Sequence, residues 1–218
     1  CPCNNQCPLR MDSVCNLLGD QQGRCLLMQR LSHIRQDVLG LSLIELVITL
    51  AVLALLLVIG APSISEWLQN AQIRTGSESI LSGLQTARNE AVRRNTNVEF
   101  RLTNPTTAGG TGWTVILANT GEQIQAAANS EGARNAIATP TPNDAAAVTF
   151  NGFGRTPTAP NNVNPTDGST LMTQIDIDSA VLSAANSREL RILISTGGQV
   201  LMCEPTVTEA TDPRKCPL

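Results

Sequence analysis

Gly40-Leu41-Ser42-Leu43-Ile44-Glu45 opens a stretch of the chain that stays apolar as far as Ala61. Between Leu41 and Ala61 the only charged residue is Glu45. A helix of that length spans roughly 30 Å, the thickness of a bilayer's hydrocarbon core. A carboxylate at the centre of such a segment costs about 2.5–3.5 kcal/mol, and less near an interface. A sequence that keeps one at Glu45 has a use for it, and opposite charges brought together in lipid would offset each other's desolvation.

The block from Gly40 to Glu45 resembles the class III signal of type IV prepilins and pseudopilins. The resemblance implies that a prepilin peptidase cuts between Gly40 and Leu41 and methylates the amine of Leu41. It also implies that Glu45 docks the subunit into a helical filament, pairing with the N-terminal amine of a neighbour. Leu41 stands where the family usually carries phenylalanine. The residues before the cut read as a leader. Met11 and Met28 are the candidate starts, and a start at Met28 gives a short leader carrying Arg30 and Arg35. No Lys or Arg follows until Arg74, so the positive-inside rule keeps the leader cytoplasmic and sends the rest across. Residues 1–27, with five of the seven cysteines, fit no zinc spacing and are set aside as upstream sequence that need not be native.

Past the apolar run, Pro62 removes a helical hydrogen bond and is expected to kink the helix rather than end it. Ile64, Trp67, Leu68 and Ala71 repeat at helical spacing, as do Ile80, Leu81, Leu84, Ala87, Ala91 and Val92. Gly76 and Gly83 read as soft points between and within these stretches. The sequence therefore predicts one helix from about Leu43 to Asn95, membrane-spanning over 41–61 and amphipathic over 62–95. Residues 96–218 form a β-rich domain that covers the amphipathic face. Alternation predicts strands at Val98–Leu102, Trp113–Leu117, Val148–Phe150 and Ile175–Ile177. Leu190–Ser195 and Gln199–Cys203 flank Thr196-Gly197-Gly198 as a hairpin. Ala126–Ala146 and Arg155–Thr170 read as loops.

This is an α+β plan of the type IV pilin kind: a long N-terminal helix packed on antiparallel β-structure. Leu84-Gln85-Thr86-Ala87-Arg88-Asn89-Glu90-Ala91-Val92-Arg93-Arg94 resembles the helix signature of the GspH/FimT branch. So do Gly112-Trp113, the segment Phe150-Asn151-Gly152-Phe153-Gly154, and Ile194-Ser195 with Gly198-Gln199-Val200 and Cys203. In an exported domain Cys203 and Cys216 read as one disulfide rather than two free thiols, because the compartment is oxidising.

The chemistry-bearing residues disfavour catalysis. The single histidine, His33, lies in the leader, so no Ser–His or Cys–His pair is available after the cut. Asp176 and Asp178 share a strand face, but two carboxylates fall short of a calcium site. No metal site, cofactor or phosphate-binding loop is expected. The whole chain has formal net charge −3, and removing residues 1–40, with four basic and three acidic side chains, leaves −4. Arg88, Arg93 and Arg94 read as a face laced to Glu78 and Glu90, and Arg155 as a loop arginine. Arg214-Lys215 is the only adjacent basic pair in the tail.

The reading is a non-enzymatic minor pilin or pseudopilin, held in the bacterial inner membrane with its C-terminal domain periplasmic before it enters a filament. Its expected partners are the prepilin peptidase, inner-membrane lipid, and other minor and major pilins or pseudopilins in an assembly-initiating tip complex. The runner-up is a DNA-binding minor pilin for natural transformation. DNA-binding members resemble one another in a Gly-Arg-x-Arg element near the last hairpin. Here that place reads Gly198-Gln199-Val200-Leu201, without either arginine, so nucleic acid is the less favoured partner.

Overall fold

The computed structural model describes residues 42–217, apart from 158–163 and 166. The leader, Gly40 and Leu41 lie outside the described residues. The chain divides into two compact units, the first ending at Leu46 and the second running Val47–Leu218. In the first, Ser42 caps the start of α1 (Leu43–Arg94): its Oγ accepts from the Glu45 amide at 3.3 Å and its carbonyl from the Leu46 amide at 3.1 Å. Glu45 itself is exposed.

The second unit holds the rest of α1 and eight strands. β1 (Val98–Leu102), β2 (Trp113–Leu117), β3 (Gln123–Ala127) and β5 (Ala147–Phe150) form one antiparallel sheet in the order β3-β2-β1-β5. β4 (Ala136–Thr141), β6 (Gln174–Ser179), β7 (Leu190–Ile194) and β8 (Val200–Cys203) form the other, in the order β4-β6-β7-β8. Alternation selects the buried faces. Val98, Phe100 and Leu102 turn inward from β1, and Phe100 pairs with Val115 on one side and Val148 on the other. In the second sheet Ile175 and Ile177 of β6 lie beside Ile192 of β7 and Ala138 of β4. The two sheets and α1 share one core.

α1 meets that core through Ile73, Ile80, Leu84, Ala87 and Ala91, all fully buried. Burying each of the larger side chains is worth about 1.5–3 kcal/mol. Gly76 and Gly83 are contact points here, not soft points. A Cβ on Gly83 would come within 2.7 Å of the Trp113 ring and 2.8 Å of Phe100, and one on Gly76 within 2.9 Å of Thr111 Cγ2. The absence of a side chain lets the helix backbone lie on the sheet. Trp113 and Phe100 stack at 5.8 Å between centroids, and the Trp113 indole donates to Ser79 Oγ at 3.0 Å.

The segment 126–146, expected as a loop, contributes the end of β3 and all of β4. Both are edge strands, and β4 carries Pro140. An edge strand tolerates proline because one side of its backbone needs no ladder partner. Small Ala and Thr side chains give little period-2 signal, although Ala136 and Ala138 are fully buried. The first apolar repeat on α1 is also corrected. Ile64, Trp67 and Leu68 are exposed, while Gln69, Ile73 and Ser77 face inward. Gln69 Oε1 accepts from the Asn135 side-chain amide at 3.0 Å and Gln72 Oε1 from the Asn135 backbone at 3.0 Å, so amides rather than apolar contacts fix this turn.

Candidate functional site

The described residues leave two stretches of surface uncovered by the rest of the fold, and the first lies on α1. From Val47 to Val58 the large apolar side chains are at least half exposed, reaching 76% at Val58. Among the described residues no single helix is long and apolar enough to cross a membrane. Leu43–Val58 and Ser63–Arg94 meet that requirement together, with a 42° bend between them, an interval that includes Pro62.

Beyond the bend, α1 forms one wall of a groove of about 790 Å³. Trp67 and Ala71 meet Leu190 of β7, Met202 of β8 and Pro213 of the tail there, ringed by Glu66, Arg74, Arg188, Glu204 and Arg214. The walls are tied together. Asn70 donates through Nδ2 to the Asn186 carbonyl at 3.1 Å and accepts from the Arg188 amide at 2.9 Å, clamping that loop to the helix. Cys203 and Cys216 are joined by a disulfide with Cα atoms 5.0 Å apart. Arg214, expected as half of a basic pair, lies against Asp212 at 2.7 Å and Glu204 at 3.1 Å. The Asp212 hydrogen bond raises the Arg214 pKa and lowers that of Asp212.

The opposite end presents Phe153, 84% exposed. Its turn is held by Asn151 and Arg88. Asn151 Oδ1 accepts from the amides of Phe153 and Arg155, the Gly154 amide donates to the Asn151 carbonyl, and Arg88 Nε donates to the Gly154 carbonyl at 3.3 Å. Gly154 has φ +71°, open to glycine at no steric cost. Arg155 is exposed and shares a small pocket with Thr196 and Gly197 of the β7–β8 turn.

The remaining sequence-flagged charges are used internally. Asp176 takes Arg191 at 2.6 Å, and Asp178 accepts from Ser187 Oγ. Burial raises the Glu189 pKa, with neighbouring Asp176 adding to it. Arg93 and Arg94 both bond Glu90, at 2.5 and 2.8 Å, and those hydrogen bonds, the one from Arg93 foremost, hold the Glu90 carboxyl at about 2. Arg74 pairs with Glu78 at 2.7 Å, a pairing four residues apart. Sequence reasoning missed Glu99, which is fully buried on the outer face of β1. One of its oxygens accepts from Arg101 at 2.7 Å, and the other has no hydrogen-bond partner. Arg101 reaches on to Asp167 at 2.9 Å. Among the described residues no cluster of three or more His, Cys, Asp or Glu side chains could hold a metal ion.

A long N-terminal helix, apolar and uncovered before it becomes a core element, set on antiparallel sheets, defines a pilin-like subunit. The family model described as type II transport protein GspH matches residues 77–198, more than half of the chain, and the chain belongs to that family. The family is one of structural subunits. Two crystal structures of the type IV minor pilin FimU from Pseudomonas aeruginosa are similar to the chain at 16% identity. One covers 60% of this chain and 87% of its own, with a TM-score of 0.44; the other covers 59% and 90%, with 0.41. No curated protein matches in sequence.

Proposed function

We propose that the chain is a minor pilin or pseudopilin that is cut after Gly40, methylated on Leu41 and held in the inner membrane by residues 41–61. From there it joins other minor subunits in the tip complex that starts a type IV pilus or a secretion pseudopilus. The observation that carries the reading is the coupling, in one chain, of a GspH match over 77–198 with an exposed apolar helix that follows Gly40 and Glu45. Glu45 is the filament-docking residue in this account, and Pro62 supplies the bend. The apolar half partitions into lipid first and packs against other subunits' helices afterwards.

A second reading, DNA uptake, is favoured by one observation. Arg155, beside the exposed Phe153, borders the β7–β8 turn and has no carboxylate partner among the described residues. Phosphate neutralisation by a cation next to an exposed ring is the chemistry of single-strand binding.

Co-expression with a prepilin peptidase, followed by mass analysis of the mature N-terminus, tests the first reading. N-methylated Leu41 is the expected product. A terminus at Leu31 or beyond Ala61 would contradict it. A gel shift with duplex and single-stranded DNA should give weak or no binding at physiological salt. Micromolar binding that falls steeply with salt and is lost in Arg155→Ala would reverse the ranking.

A further inference from the structure

We propose that the groove beside Trp67 holds the headgroup of a zwitterionic phospholipid, with Arg188 on its phosphate and Glu66 on its amine. This rests on the reading of 41–61 as a membrane span. Of the groove's charged side chains, Arg74 is matched by Glu78, and Arg214 by both Asp212 and Glu204. Glu66 and Arg188 alone among them have no opposite-charge partner among the described residues. Two unneutralised charges of opposite sign in one groove suit a ligand that carries both. An anionic lipid would satisfy Arg188 and leave Glu66 facing like charge.

Position and shape agree with the charges. The lining begins at Ser63, directly after the apolar run. Trp67 lies six residues past Ala61, about 9 Å along the axis of a helix. Helical side chains lean toward the N-terminus, so its ring reaches back into a headgroup layer roughly 5–7 Å deep. Trp67 is 70% exposed, and Ile64 and Leu68 beside it are also exposed. Tryptophan at the end of a span is an interfacial anchor, one part apolar and one part wet. The Asn70 clamp on residues 186 and 188 holds the Arg188 backbone in place without a ligand.

The test uses the full chain in detergent micelles, titrated separately with dihexanoyl phosphatidylethanolamine, dihexanoyl phosphatidylglycerol and inorganic phosphate. Emission from Trp67 is taken as the difference between the wild type and Trp67→Phe, since Trp113 is buried. Saturable binding of the ethanolamine lipid, about tenfold tighter than the glycerol lipid and weakened about tenfold by either Glu66→Gln or Arg188→Gln, is expected. Equal response to all three ligands, response that survives both substitutions, or no response overturns the proposal. So does protection of Trp67 from iodide only when a second pilin domain is added, which would make the groove a protein interface. Retention of the chain in lipid nanodiscs is scored separately. Retention without a headgroup response defeats the groove alone, whereas loss of retention defeats the span.

Discussion

Two stretches of α1, Val47–Val58 and Ile73–Ala91, both present Leu, Ile and Ala side chains, yet these have opposite fates. Every large apolar side chain in the first is half exposed or more, whereas Ile73, Ile80 and Leu84 in the second are fully buried. The difference lies in what surrounds them. The second stretch spaces its apolar residues among polar ones and offers glycines at 76 and 83, so one face can lie flat on β1 and β2. The first has no polar face and finds nothing in its own unit to cover it. A helix that is apolar all round belongs in a larger core or in lipid. The same residue types thus serve the core in one half and stay uncovered in the other.

The two stretches should respond oppositely to the same substitution. Leu84→Ala should lower unfolding free energy by about 3 kcal/mol in urea titration, within the range for buried leucines. Leu53→Ala should leave it unchanged, because Leu53 is 51% exposed. Equal losses would mean the first half packs within the fold. The glycines give a smaller contrast. Gly83→Ala gains helix propensity of about 1 kcal/mol but forces a methyl against two rings, for a net loss of up to about 2 kcal/mol. Gly60→Ala, with nothing within 4 Å of the added carbon, should not destabilise the domain. Thermal melts of the pair decide between them.

The smallest effect is on the solvent face. Glu90 is lowered from 4.5 to about 2 by Arg93 and Arg94. A carboxyl with a depressed folded pKa stabilises above its unfolded value and loses that contribution as pH falls through the folded one. Stability should therefore decline between about pH 4.5 and 2, with a shallower slope in Glu90→Gln. Arg93 is mostly solvent-exposed, so salt should flatten the difference further.

Most of the fold was legible from period alone. β1, β2 and β5–β8 announce themselves by alternation or by the glycine turn at 196–198, and α1 by its apolar repeats. β3 and β4 were not, because Gln, Ala, Thr and Pro carry no strong pattern and edge strands do not need one. Trp67 falls on the expected packed face because spacing cannot tell a buried stripe from an exposed one. Glu99 escaped notice because it sits between the buried Val98 and Phe100, where a charge looks like the outward half of an alternation. The groove had no local signature at all. Its walls come from residues 63–74, 188–190 and 202–214, which only the fold and the Cys203–Cys216 link bring together. The Gly40–Glu45 block is the reverse case: plain in sequence, with Gly40 and Leu41, the proposed cleavage pair, outside the described residues.

In the proposed function the first half of α1 anchors the chain and adds nothing to the stability of the domain. A chain beginning at Ser63 tests this directly, by comparing its solubility and melting temperature with those of the full chain in detergent. A soluble monomer is expected, with a melting temperature unchanged within about 2 °C, a shift of less than about 1 kcal/mol for a domain of this size. A truncated chain that aggregates, or that melts well below the full chain, would contradict it.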